Sequence, residues 1–367
     1  MKPFLTILLD SYRGLKSEMI FWITLGLSAL VAVVFLSIGI HGDGISVLFG
    51  LFSWNPSEEI VGGFFGDLIN RIVYLMIFSN FVAGVWLTFI ATILALISCA
   101  SIFPNSMNEG AAGMLMTKKP SRLLIFFSKL TGSLLFVLVQ VGLFVIIVFF
   151  AFRWRLGVWN FSVFWYVPAV LLVFLNLYSV MVLIGVRTRS VLTSILITML
   201  VWGISAGLNA GITGLQVQYR VEKMTIEEVQ EKEAKVRAAE DEEVAPENSE
   251  KGAIEESISE GLANKEERLQ ETREWLDILE TVHLFLPKNG PIMAVAEEKL
   301  VIGGLEEFGG FDEIQRRMDE DGVRDKVGDS FDDPSDLPSK FDTIGTSCLF
   351  CGVMLTMAAW VFCRKEI

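Results

Sequence analysis

Histidine is nearly missing from this chain: His41 and His283 are the only two in 367 residues. Neither sits in an H-E-x-x-H string, which excludes the helix-borne zinc site of a metalloprotease. Four cysteines give no disulfide framework. Cys348 and Cys351 form a C-x-x-C with no second pair and no nearby histidine, so helix packing accounts for them more simply than thiol or metal chemistry. No G-x-x-x-x-G-K-[ST] occurs, so the chain has no P-loop and is not by itself a conventional ATPase. Charge is missing from six long stretches, 21–40, 73–103, 130–152, 162–186, 191–212 and 344–363, none of which holds Asp, Glu, Lys, Arg or His.

What is present is apolar. Hydrophobic residues make up 52% of the chain, and its mean hydropathy is +0.53. About 20 helical residues cross a hydrocarbon core of about 30 Å, so each of the six stretches qualifies as a spanning helix. The second is too short for two spans and a turn, and is expected to be one long or tilted helix, with the polar pair Ser79-Asn80 as an alternative break. The expected fold is therefore all-α: a polytopic membrane protein with six transmembrane helices and a large, mostly helical extracytoplasmic insertion between spans 5 and 6.

The basic residues sort by side. Lys2, Arg13, Lys16, Lys118, Lys119, Arg122, Lys129, Arg187, Arg189, Arg364 and Lys365 fall on the side of the termini, and Arg71, Arg153 and Arg155 on the other. By the positive-inside rule both termini are cytoplasmic, in a bacterial plasma (inner) membrane. Trp154 and Trp159 beside the dissenting arginines suit an interfacial anchor. The N-terminal stretch lacks a small-x-small cleavage site and reads as retained rather than as a signal peptide.

The net charge of −13 hides a division. Residues 207–343 carry 35 acidic and 16 basic side chains, leaving the remainder mildly basic. That sign disfavours nucleic acid as a partner. Without charges inside the spans an ion-coupled carrier is also disfavoured, because such carriers keep ionisable groups on their pathway. Asn80, Gln140, Asn176 and Asn209 are expected to hydrogen-bond between helices.

Five segments follow. Residues 1–19 place Phe4, Leu5, Leu8, Leu9, Tyr12 and Leu15 at helical spacing, as an amphipathic interfacial helix or a simple leader would. Residues 20–212 hold spans 1–5 with a cytoplasmic loop at 104–122. In 213–282, Ile254, Ile258, Leu262, Leu269, Leu276 and Leu279 form one seam and Val217, Val221, Met224, Val229 and Val236 a weaker one. These suggest an acidic helical hairpin, the alternative being a partly disordered linker. Residues 283–343 combine an interfacial or re-entrant stretch with an acidic linker. Its run from Asp319 to Ser330 lacks the Gly and Glu positions of an EF-hand. Residues 344–367 are span 6 and a cytoplasmic tail.

The loop is the most specific feature. "NEGAAGMLMTKKPSRLLIFFSKLTGSLL" resembles the segment between the second and third spans of ABC-2-type transporter permeases. In those an E-x-G-T-like start, a short amphipathic helix, a leucine-rich L-L-S-K-P-x-S-R string and a G-K follow in order. Glu109-Gly110, Leu115, Lys119-Pro120-Ser121-Arg122 and Lys129 stand in those places, with Ala111 for the usual Thr and Ser128 for the usual Gly. The likeness is closest to the permeases of gliding-motility and nitrous-oxide-reductase maturation systems, which enlarge the loop before the last span.

That resemblance implies a coupling helix at 107–118 seated in a cleft on a separate ATP-binding subunit. Glu109, Gly110, Met114, Leu115, Lys119, Pro120, Arg122 and Lys129 are the implied interface. It implies a non-enzymatic permease subunit that couples the partner's ATP hydrolysis to export or mechanotransmission. ATP and Mg are bound on that partner and no cofactor on this chain. Further partners are a second permease copy in a dimer, membrane lipid and an extracytoplasmic protein. The alternative is a non-transporting membrane scaffold with an extracytoplasmic partner-binding domain.

Overall fold

A computed structural model describes residues 19–41, 44–47, 51–54, 74–106, 121–240, 249–283, 286–306 and 340–364. Over these the chain is helical apart from one small sheet. The 1–18 segment, most of the 104–122 loop and the acidic stretch 307–339 lie outside the described residues.

Each apolar stretch becomes a helix. They are α1 (Met19–Ser37), α2 (Tyr74–Pro104), α3 (Arg122–Leu156), α4 (Tyr166–Thr188), α5 (Val191–Glu240) and, after two further helices, α8 (Lys340–Arg364). Among the described residues, five helical segments are long and apolar enough to cross a membrane: α2, α3, Phe161–Thr188, Val191–Ile226 and Thr343–Arg364. The apolar part of α1, Trp22–Ser37, is shorter. The chain is a multi-pass membrane protein by these helices.

The helix ends obey local rules. Ser121 caps α3, its hydroxyl accepting from the Leu124 amide at 3.3 Å. Gly157, at φ 75°, ends α3 in the left-handed conformation that glycine adopts without cost. Arg189 adopts the same region at φ 57°, and its amide returns to the Gly185 carbonyl at 2.9 Å. The Ser190 hydroxyl then accepts from the Thr193 amide and opens α5.

No break occurs at Ser79-Asn80. Instead α2 winds as a π-helix over Phe78–Ala91 before turning α-helical at Thr92–Cys99. The Thr88 and Thr92 hydroxyls donate to the carbonyls of Ala83 and Leu87, five residues back, at 2.9 and 2.8 Å. The Asn80 amide bonds its own helix, at Met76 O, rather than a neighbour.

The all-α expectation misses a three-stranded antiparallel sheet, β1 (Gly39–His41), β2 (Gly44–Val47) and β3 (Phe52–Trp54). Gly39, Ile40 and His41 of β1 partner Ser46, Ile45 and Gly44 of β2.

The chain divides into two units, Met1–Trp202 with Pro287–Ile367, and Gly203–Leu286. In the first, α4 is the most deeply buried of the apolar helices and packs against α8, α3 and α2. Two polar links cross this core. The Ser133 and Tyr178 hydroxyls meet at 2.7 Å, and the Cys351 thiol donates to Asn176 Oδ1 at 2.6 Å. Asn176 thus makes the bond between helices expected of it, and half of the C-x-x-C is its partner.

At one end of this unit Phe35, Tyr74, Phe78, Phe152 and Tyr166 stack with centroids 4.8–6.2 Å apart. Arg155 crowns the group, donating to the carbonyls of Leu36 and Ser37 at 2.8 and 3.1 Å. Arg153 donates to the Gly157 carbonyl and stands 5.2 Å from the Trp159 ring. The two arginines that dissent from the charge rule are therefore held by structure.

Also in the first unit, the stretch expected to be interfacial forms one helix, α7 (Asn289–Glu306), which buries Ile292, Met293, Ala296 and Leu300. It packs on α4 and on the 3-10 turn Phe161–Trp165. The Asn160 amide donates to Leu300 O at 3.1 Å while its oxygen accepts from the Ser162 amide.

The second unit holds the rest of α5 and α6 (Ser249–His283), paired where Gln216 donates to Glu280 at 3.4 Å. Its buried apolar positions on α5, among the described residues, are Ile212 and Ile226, whereas Val217, Val221 and Met224 are more than half exposed. That corrects the expected α5 seam: both stripes have helical spacing, and only the position of a neighbour chooses between them. On α6, Leu269, Leu276 and Leu279 are half-buried as expected. Val229, Val236, Ile254, Ile258 and Leu262 lie outside the described side chains.

A Cβ on Gly303 would overlap the Ser162 side chain. Gly303→Ala is expected to cost about 1–3 kcal/mol by overpacking, read as a lowered thermal midpoint in detergent. Gly345→Ala, where nothing lies within 4 Å, should leave the midpoint unchanged or raise it.

Candidate functional site

The loop of the sequence analysis leaves the bundle at Ser106 and returns at Ser121. Glu109, Gly110, Met114, Leu115, Lys119 and Pro120 lie outside the described residues, whereas Arg122 and Lys129 lie within them. What the structure describes is the seat from which the loop departs.

Four aromatic rings form that seat. Phe103 of α2 has its ring centroid 5.2 Å from Phe126 of α3, 6.3 Å from Tyr178 of α4 and 6.3 Å from Phe362 of α8. Phe126 and Phe362 close the group at 5.8 Å. All four are essentially buried, so large apolar areas from four helices meet at one point. Beside them a Cβ on Gly185 would lie 3.4 Å from the Pro104 ring. The absence of a side chain there lets α4 approach the last turn of α2 closely.

Two cations finish the seat. Arg122 Nη1 donates to the Cys363 carbonyl at 3.0 Å, and Lys129 Nζ donates to the Ile102 carbonyl at 3.3 Å. The Ile102 carbonyl opens the short helix Ile102–Ser106 in which α2 runs out. The Cys363 carbonyl lies in the last turn of α8, where carbonyls lack intrahelical donors and the helix dipole is negative. A cation there supplies both a donor and a favourable charge. Arg122 and Lys129 are half-buried and bond the chain's own helix ends, so the structure gives each a role within the bundle.

The same end carries other cations. Arg187 and Arg189 are exposed in the turn between α4 and α5, and the Arg364 guanidinium lies 4.1 Å from the Trp360 ring centroid. Its electrostatic character is positive, as the charge sorting implies.

Sequence reasoning names Arg122 and Lys129 but not Phe103, Phe126, Tyr178, Gly185 or Phe362. A signal was present, because Arg122, Phe126, Lys129 and Ser133 recur at i, i+4, i+7 and i+11. That spacing puts two cations, a ring and a hydroxyl on one face of α3, and a cation on an apolar face asks for a partner. One motif of hydrolases occurs in the chain without its structural setting. Gly203-Ile204-Ser205-Ala206-Gly207 fits G-x-S-x-G, but it lies inside the continuous helix α5 rather than at the strand-to-helix turn of a hydrolase.

Compared with known proteins, the chain matches no family, no curated protein and no solved structure.

Phe103→Ala is expected to cost about 3–5 kcal/mol, since it empties a site walled by three other rings. Unfolding of the purified protein in detergent would measure it. Phe127→Ala, at a half-exposed neighbouring position, should cost far less.

Proposed function

We propose that this chain is the membrane-spanning subunit of an ATP-driven export or mechanotransmission complex, acting as a dimer with two copies of a separate ATP-binding subunit. The observation that carries the proposal is the seat of the 107–120 loop. Both ends of that segment enter one cluster in which α2, α3, α4 and α8 meet. A force applied to the loop therefore reaches four helices at once, which is what a subunit without its own nucleotide site requires. The resemblance of 108–135 to the ABC-2-type coupling segment points the same way.

In this reading α1 is a sixth span. Its 19 residues reach about 28 Å, close to the thickness of the hydrocarbon core, and it packs along α3. Six spans put both termini and the loop in the cytoplasm of a bacterial inner membrane, and the 213–343 insertion outside. Met114, Leu115 and Met116 supply adaptable apolar contact to the ATPase, and Gly110, Ala111, Ala112 and Gly113 permit close approach.

A second reading, a non-transporting scaffold, draws on the half-exposed Trp275, Ile278 and Val282 of the acidic helix α6. Exposed apolar side chains among charges suit a protein partner.

Affinity purification of the full chain from its native membrane, followed by ATPase measurement, separates the two. The permease reading expects a stoichiometric ATPase that is lost on combining Glu109→Lys with Met114→Asp. Repeated recovery without ATPase would favour the scaffold. Topology has its own check: Glu274→Cys, in a background without the native cysteines, should react in intact cells with a membrane-impermeant maleimide. Labelling only after permeabilisation would overturn the assigned sidedness.

A further inference from the structure

Arg122 and Lys129 sit on one face of α3, seven residues apart, and reach two different helices. Arg122 holds the last turn of α8 through Cys363 O, and Lys129 holds the stretch where α2 runs out through Ile102 O. Between these two bonds lie Phe103, Phe126 and Phe362, one ring from each of the three helices. Two charge-assisted bonds thus flank a shared apolar contact.

We infer that Arg122 and Lys129 are positioning residues that lock the loop-bearing ends of α2, α3 and α8 into one mechanical body. The final helix, more than 220 residues away in sequence from the loop, then moves whenever the loop moves. This deepens the proposed function and rests on it only for what pulls the loop; the lock itself belongs to this chain. Independent helix caps would behave differently. A simple cap protects only the turn it touches, whereas a lock spreads its loss to every end that it joins.

Hydrogen–deuterium exchange on the full-length protein in lipid nanodiscs tests this without any ATPase. The readout is amide exchange in 99–106 and in 358–364, with the buried middle of α4 as the internal reference. In the lock, Arg122→Gln raises exchange about tenfold in both segments, although the Arg122 bond to Cys363 O lies in the second. Lys129→Gln does the same, although the Lys129 bond to Ile102 O lies in the first. Arg122→Lys, which keeps the charge, restores most of the protection and carries the test if the glutamine variant does not accumulate; a lock then shows a smaller rise shared by both segments. Exchange that rises only in the segment that holds each residue's bond, or in neither, overturns the inference. If no ATPase co-purifies, the functional reading fails while the exchange result stands.

Discussion

A helix that ends near hydrocarbon leaves its last carbonyls without donors, and no water is at hand to supply them. In this protein one helix meets that need twice and sends a third cation to the stretch where α2 runs out. α3 sends Arg155 to the end of α1, Lys129 to the end of α2 and Arg122 to the end of α8. Lys129 and Arg155 are separated by about 39 Å along the helix, more than the apolar thickness of a bilayer. The cations therefore stand at opposite margins of the membrane, where charge is tolerated, and residues 130–152 between them carry none. Remove α3 and three other helices lose their terminal partners.

The same plan repeats in apolar form. Each margin has a buried aromatic cluster beside its cations, Phe103, Phe126, Tyr178 and Phe362 at one and Phe35, Tyr74, Phe78, Phe152 and Tyr166 at the other. α4 contributes Tyr166 and Tyr178, one ring to each cluster, and its middle is tied to α3 and α8 by the Ser133–Tyr178 and Asn176–Cys351 bonds. In lipid there is no gain from hiding one apolar helix against another, so packing and these few polar bonds hold the bundle.

Much of this was legible beforehand, and the reasons for the rest are specific. Runs of about 20 uncharged residues announced helices because no other open structure spans a membrane, and all six runs are helical. Strands of three or four residues at 39–54 were too short to show a period. On α5 two stripes had equal claim, and composition preferred Val217, Val221 and Met224 when Ile212 and Ile226 are the buried pair. Arg153 and Arg155 were legible only as charges on the wrong side. Their roles depend on Gly157 and on the end of α1, which is 119 residues from Arg155 in the chain. The loop motif was visible, yet the rings that seat it are contributed by helices far apart in sequence.

The π-helical stretch of α2 bears on how the protein fits its lipid. Thirty-one residues in a plain α-helix would reach about 46 Å, well beyond the apolar thickness of a bilayer. A π-helix places more residues in each turn, so fourteen residues wound that way take up less of the membrane normal. The surplus becomes girth instead of tilt. Its Thr88 and Thr92 bonds to carbonyls five residues back suit that wider winding. A one-residue deletion within 78–91 could thus be absorbed by a return toward α-helical winding, while the same deletion in α4 would rotate half of a tightly packed helix away from its neighbours. The protein carries its slack in length in the one span that leads directly into the loop.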